Sequence, residues 1–301
     1  MGRSLASDAR TRTGHGHVRI IREIAQLRGA LEASRATAAR IGLVPTMGFF
    51  HEGHLSLMRR ARIDCDVVVV SLFVNPTQFN DAADLDAYPR DEARDAAIAQ
   101  SGGVDYLFAP NADEMYVHDA STSVVVNGIS EPLEGESRGP GHFRGVATVV
   151  AKLFNIVQPT VAYFGQKDAQ QALVVRRMVR DLDFPIRIEV CPTVREPDGL
   201  AMSSRNVRLS PPARTQALAL RRGLDAAVSA IAGGERNAAR VETRARAAME
   251  ALGVEAEYFA VVSADTLGPL RTLTGDVLLA VAATVGGVRL IDNEIVGTPP
   301  T

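Results

Sequence analysis

Over its first two-thirds the chain alternates short apolar runs with helix-length segments. Ile41–Thr46 reads as a buried strand, followed by a glycine-bearing loop and an apolar helix from about His54. Asp66–Val74 is an almost unbroken β-branched run, as expected of a strand covered on both faces. The alternation continues with a polar helix at about Asp91–Ser101, a strand at Val104–Phe108 and a helix at about Gly145–Val157. Next come a strand at Thr160–Phe164, a helix at Asp168–Asp181 and a strand at Ile186–Val190. This order predicts βαβ units, hence an α/β domain with a parallel sheet, and ligands at the carboxyl ends of its strands.

The texture changes near Cys191–Pro192. Pro211–Pro212 is expected to open a long helix carrying Leu220, Leu224, Val228 and Ile231, stopped by Gly233–Gly234. A second helix carries Val241, Ala245, Ala248 and Leu252, and strands follow at about Glu257–Val262 and Val277–Ala283. Helices followed by strands predict a smaller α+β domain. The expected division is a disordered polar tail over residues 1–17, a nucleotide-binding domain over 18–192 and a second domain over 193–301.

Composition narrows the function classes. With 46 % hydrophobic and 23 % charged residues, the chain has ordinary globular usage, neither disordered nor fibrous. A formal charge of −2 gives no overall pull towards nucleic acid or an anionic membrane, so neither is an expected partner. Phosphate chemistry would have to come from local placement. Two cysteines, Cys65 and Cys191, without CxxC spacing argue against a disulfide framework or structural zinc, and for reduced thiols in the cytoplasm. No apolar run has the length of a membrane span, and the N-terminus lacks a secretory apolar segment.

Three clusters carry candidate chemistry. The first strand runs into Met47-Gly48-Phe49-Phe50-His51-Glu52-Gly53-His54, two histidines at a strand-to-helix corner. A helix start offers unpaired N–H groups to phosphate, glycines allow close approach, and imidazoles can donate to a departing pyrophosphate. The spacing is not the H-E-x-x-H of a zinc site. Gly165-Gln166-Lys167-Asp168 ends another strand: the lysine suits phosphate and the aspartate a ribose hydroxyl. Gly199-Leu200-Ala201-Met202-Ser203-Ser204-Arg205-Asn206 places two hydroxyls and a guanidinium in a glycine-led loop suited to polyphosphate. Without an apolar anchor of its own, Met202–Asn206 is expected to order on nucleotide binding. Gln78 ends the Asp66 strand near the same site, and Arg138, His142 and Arg144 flank a glycine-rich stretch that reads equally as lid or surface loop. Asp91, Glu92 and Asp95 read as a solvated helix start, one of which could hold Mg²⁺ through water.

Taken together, V-P-T-M-G-x-x-H-E-G-H-L-S-L, S-L-F-V-N-P-T-Q-F, D-L-D-A-Y-P-R, G-H-F-R-G-V-A-T-V-V-A-K-L-F, F-G-Q-K-D-x-Q-Q and D-G-L-A-M-S-S-R-N resemble the pantoate–β-alanine ligase (pantothenate synthetase) family of HIGH-type nucleotidyltransferases. The resemblance spans roughly Ile41 to Asn293. It implies a Rossmann-like first domain, a smaller α+β lid domain and a homodimer. It also implies Mg²⁺-ATP-dependent adenylation of (R)-pantoate, then attack by β-alanine to give pantothenate and AMP. By this resemblance His54, His51, Lys167, Ser203, Ser204 and Arg205 are the catalytic positions. Met47, Gly48, Gly53, Gly165, Gln166, Asp168, Val194 and Met202 complete the ATP site with them. Gln78 and Gln171 bind pantoate, Gln78 also β-alanine, and Asp95 matches a Mg²⁺-associated acidic position. Gln166 stands where the family usually has an acid, Phe49-Phe50 replaces a smaller pair, and Ser137–His142 is one residue longer than usual. The alternatives are another carboxylate-adenylating nucleotidyltransferase, or a nucleotide-binding protein without catalysis; pyrophosphate exchange with pantoate separates them.

Overall fold

The computed structural model describes residues 17–80 and 82–298. The expected disordered tail therefore lies outside the described residues except for His17. The first sheet is wholly parallel, in the order β1-β4-β3-β2-β5-β6. Its strands are β1 (Arg19–Ile21), β2 (Ile41–Thr46), β3 (Val67–Leu72), β4 (Tyr106–Phe108), β5 (Val161–Gly165) and β6 (Arg187–Cys191). Helices α1 (Ile24–Ala36), α2 (Glu52–Asp64), α3 (Ala82–Asp86), α4 (Glu92–Ser101), α5 (Ala112–Met115), α6 (Glu134–Arg138), α7 (Gly141–Val157) and α8 (Ala169–Asp181) connect them. Val68, Val69 and Val70 of β3 have no exposure, because helices cover both faces of the sheet.

Chain order places β3 and β4 on one side of β2 and β5 and β6 on the other. That reversal is the switch point at which open α/β sheets bind ligands. β2 and β5 pair only through Gly42–Val161 and Leu43–Ala162, so their carboxyl ends separate into a crevice.

Helices α9 (Pro211–Gln216), α10 (Leu218–Ala232) and α11 (Ala238–Glu250) precede a three-stranded antiparallel sheet, β7 (Tyr258–Ser263), β8 (Gly275–Val285) and β9 (Val288–Thr298). The period-2 rule divides β8 between two cores. Val277, Leu279, Val281 and Ala283 face α10 and α11, whereas Leu278 and Ala280 join the core of the first domain. The smaller domain is thus seated on the larger one through an apolar face.

Two expectations differ from the structure. The single long helix from Pro211 is two helices that meet at Ala217. The buried face of α11 is Val241, Ala245 and Met249; Ala248 is only partly buried and Leu252 lies beyond the helix end, exposed. The sequence pattern does not reveal β1, α1, α3, α5, α6 or β9.

Candidate active site

Each loop at the switch point is shaped by local sequence. After β2, Thr46 is tied to Ser71 of β3 through two hydrogen bonds, Thr46 N to Ser71 Oγ at 3.2 Å and Thr46 Oγ1 to Ser71 O at 2.5 Å. Gly48 (φ +89°) and Phe49 (φ +50°) then turn through the left-handed region. A Cβ on Gly48 would also stand 3.0 Å from Asp95 Oδ2. The turn drops Phe50 into a fully buried position beneath α2 and delivers His51 as the helix N-cap.

The histidine geometry fixes their tautomers. His51 Nδ1 accepts from Gly53 N at 3.1 Å, and His54 Nδ1 accepts from His51 N at 3.3 Å. With Nδ1 an acceptor on both rings, each neutral imidazole carries its proton on Nε2 and can donate it to a ligand. The rings lie 4.2 Å apart, and both residues line the crevice. Burial, with Lys167 nearby, pushes His51 down to about 4. Burial, then His51 and Lys167, pushes His54 well below the usual histidine range. At neutral pH the pair is uncharged: two N–H donors rather than two cations.

The crevice is a cavity of about 880 Å³. It gathers Met47, His51, Gly53, His54, Gln78, Gly165, Lys167, Asp168, Gln171, Val194, Met202, Ser203, Ser204 and Arg205 from five separate stretches of chain. Gln78 is placed by close backbone packing. A Cβ on Gly145 of α7 would meet Thr77 O at 2.5 Å and Gln78 N at 2.7 Å, so glycine lets the helix lie on this turn. His142 Nδ1 is 2.8 Å from Gln78 O, and Gln78 Oε1 accepts from Asn75 Nδ2 at 3.1 Å. Arg138 and His142 also line the cavity, whereas Arg144 does not.

The Met202–Asn206 segment has anchors that its composition alone does not show. Leu200 and Ala201 before it are buried, and Met202 N donates to Val194 O at 3.0 Å. Ser203 caps the short helical turn Ser204–Arg208. Ser204 Oγ donates to Phe49 O at 3.3 Å, and Asn206 Nδ2 donates to Glu196 and Ala201. Arg205 pairs with Asp84 at 2.9 Å and lies over the Tyr88 ring.

Three expected site residues stand outside the cavity: Gly48, Gln166 and Asp95. Gly48 acts through the turn alone. Gln166 donates from Nε2 to Asn293 Oδ1 at 2.9 Å, and Asn293 Nδ2 donates to the Gln166 and Lys167 carbonyls, so it fastens the β5 loop to β9. Asp95 is neither solvated nor placed for Mg²⁺. It is 1 % exposed, and its two oxygens accept from Phe49 N and Phe50 N, each at 2.6 Å. Burial pushes its carboxyl up, against the pull of those amides. Asp91 caps α4 through Arg94 N, and Glu92 pairs with Arg22.

Sequence reasoning missed Asp84, Tyr88, Glu134, Tyr258 and Arg289, all cavity residues. Asp84 and Tyr88 sit inside the D-L-D-A-Y-P-R motif. Tyr258 and Arg289 stand singly on strands and carry no motif.

The family model described as pantoate-β-alanine ligase matches residues 19–295. This chain belongs to the pantoate–β-alanine ligase family. Pantothenate synthetase from Moorella thermoacetica is 54 % identical over 277 residues, 92 % of this chain and 98 % of the relative. The Thermotoga neapolitana pantothenate synthetase is 52 % identical over 281 residues, 93 % of this chain and all of the relative. Among solved structures, the Thermus thermophilus pantothenate synthetase superimposes with TM-score 0.87 at 47 % identity, covering 92 % of this chain and 99 % of its own. The Francisella tularensis pantoate-β-alanine ligase, complexed with β-γ ATP and β-alanine, gives TM-score 0.74 at 34 % identity, covering 92 % of this chain and 97 % of its own. Like other pantoate–β-alanine ligases, the chain is an ATP-dependent ligase of pantothenate biosynthesis.

Proposed function

We propose that the switch-point cavity carries out the ligation in two steps through a pantoyl-adenylate. In the first, a carboxylate oxygen of (R)-pantoate attacks the α-phosphorus of ATP, the bond to the β-phosphate breaks and pyrophosphate leaves. In the second, the β-alanine amine attacks the acyl carbon, the acyl C–O bond breaks and AMP leaves. The single observation that carries this reading is the pair of neutral histidines, both with an Nε2–H that has no hydrogen-bond partner among the described residues, beside Lys167 and the Ser203–Arg205 loop.

Neither step requires a side-chain nucleophile, so the protein's work is alignment and charge stabilisation. His51 and His54 donate to phosphate oxygens as charge moves onto pyrophosphate. Lys167, Ser203, Ser204 and Arg205 hold the polyphosphate. Met47, Gly53, Gly165, Asp168, Val194 and Met202 enclose the nucleoside. Gln78 and Gln171 orient pantoate, and Gln78 then meets β-alanine. The domain from residue 193 covers the nucleotide as a lid.

Among the described residues, no group of three or more His, Cys, Asp and Glu gathers to hold a metal ion. Of the cavity carboxylates, Asp84, Glu134 and Asp292 are each paired with arginine, and Asp168 is paired with Lys167 at 3.5 Å. This donor set does not fit a protein-held Mg²⁺; the ion arrives on the phosphates, as part of the substrate Mg²⁺–ATP. The same reading takes the protein as a cytoplasmic homodimer. No helix among the described residues is long and apolar enough to cross a membrane.

Product analysis with ATP, pantoate and β-alanine together tests the proposal. It requires pantothenate, AMP and pyrophosphate in equal amounts. ADP and phosphate as products, or exchange of pyrophosphate driven only by an amino acid, would overturn it.

A further inference from the structure

A buried carboxylate joins the two domains at the cavity wall without belonging to any site assigned above. Glu134 begins α6, directly after Leu133, which is held at φ +55° in the left-handed region that a γ-branched residue seldom adopts. The buried amide of Gln170 stabilises this turn. Its Oε1 accepts from Glu134 N at 3.0 Å, and its Nε2 donates to Ile129 O at 3.0 Å and Pro132 O at 2.7 Å. Gln170 lies in the first turn of α8, next to Gln171. From the other domain, Arg289 of β9 grips Glu134 through both terminal nitrogens at 2.8 Å, and Tyr258 of β7 donates to Oε1 at 2.8 Å.

The remaining partner is Arg138, one helical turn on, whose Nε donates to Glu134 Oε2 at 2.7 Å. Among the described residues no hydrogen bond is made by its two terminal amino groups. Arg138 lines the main cavity, and it lines the small adjoining crevice with Lys167, Arg205 and Arg289. A guanidinium tethered by Nε alone keeps its outer edge for an anion, in a fork that suits carboxylate or phosphate.

We propose that Glu134 is a positioning residue for the ligation. Held from one side by Arg289 and Tyr258 and from the other by the Gln170-braced turn, it aims Arg138 at an anionic group of bound substrate. The inference rests on the adenylating reading of the cavity. Burial pushes Glu134 up, but Arg289 and Arg138 outweigh it and hold the carboxyl at about 2, so the clamp stays ionised through the neutral range. Because Arg289 and Tyr258 belong to the small domain, Arg138 is aimed only while that domain is seated. The geometry therefore makes one arginine of the first domain report on the placement of the second.

The test is a double-mutant cycle on steady-state kinetics with ATP, pantoate and β-alanine. Parent enzyme that forms no pantothenate contradicts the function itself. With an active parent, Glu134→Gln is expected to lower kcat/KM by on the order of 10- to 100-fold, the scale of a misplaced binding group. Arg138→Ala is expected to lose at least as much, and Glu134→Gln/Arg138→Ala no more than Arg138→Ala alone. Tyr258→Phe keeps every charge and is expected to lose a few-fold, an effect that vanishes in the Arg138→Ala background. The Tyr258→Phe cycle stands on its own if Glu134→Gln does not fold. Multiplicative losses in either double variant, or full kcat/KM in a folded Glu134→Gln enzyme, overturn the proposal.

Discussion

Removing the Asp95 carboxylate should damage the fold before it damages metal use. Asp95→Ala would strand the amides of Phe49 and Phe50, which now donate to the two carboxylate oxygens at 2.6 Å each. A hydrogen bond to a charged group contributes about 1.5–3 kcal/mol, and a buried donor left unpaired costs about 1–3 kcal/mol. Relief of the buried charge, whose carboxyl is pushed up by desolvation, offsets part of that loss. The left-handed Phe49 adds to it, because its strain is held in place by these same bonds. The net expectation is a loss of about 2–4 kcal/mol, or roughly 3–6 °C in the unfolding midpoint for a chain of 301 residues. Asp95→Asn, keeping one acceptor, should lose about half as much. Circular dichroism melting gives the first number, and Mg²⁺ titration of activity at fixed ATP gives the control. A melting midpoint within about 2 °C of the parent, with the Mg²⁺ requirement raised tenfold, would refute the reasoning and restore Asp95 as a metal-associated group.

The remaining predictions address charge, pH and the histidine pair. His54→Ala should lower kcat by on the order of 10²–10³ with folding intact, since one transition-state donor is lost; a loss under tenfold would remove that role. Asp84→Asn should tighten ATP binding up to about fivefold, because a partly exposed ion pair of about 0.2–1 kcal/mol no longer competes for Arg205; weaker binding by calorimetry would contradict it. Stability should fall with acid in two windows. His142, like His51, is pushed by burial to about 4, so its neutral form contributes stability that is complete above about 6.5 and lost as pH falls to about 4. Glu134, held at about 2, contributes about 3 kcal/mol that is complete above its usual value of 4.5 and lost towards pH 2. Urea unfolding from pH 7 to pH 3 checks both, and Glu134→Gln should flatten the lower window.

Much of the first domain was legible because its signals are local. The β-branched run of β3 and the glycine-bearing corner after β2 need no partner to be read. Contiguous motifs likewise revealed His51, His54, Lys167 and the Ser203–Arg205 loop. Long-range pairing was illegible. The three residues of β1 are too short to show a period, and β9, Val288–Thr298, mixes Asp292 and Asn293 into its apolar alternation because they bond to Arg195 and to the β5 loop. Asp95 misled for a related reason: an acid in the first turn of a helix is ordinarily a solvated partner for the dipole. Only the packed turn of Phe49 and Phe50 against it turns the carboxylate inward. Glu134 and Arg289 are 155 positions apart, and nothing in either segment announces the other.

The central claim is that a pantoate carboxylate oxygen bonds to the α-phosphorus before β-alanine attacks. Pantoate labelled with ¹⁸O in the carboxylate tests this most directly, with mass analysis of all products after turnover. Attack through a carboxylate oxygen leaves one ¹⁸O in the AMP phosphate, none in pyrophosphate, and one retained in the new amide carbonyl. Unlabelled AMP, or label delivered to inorganic phosphate, would contradict it.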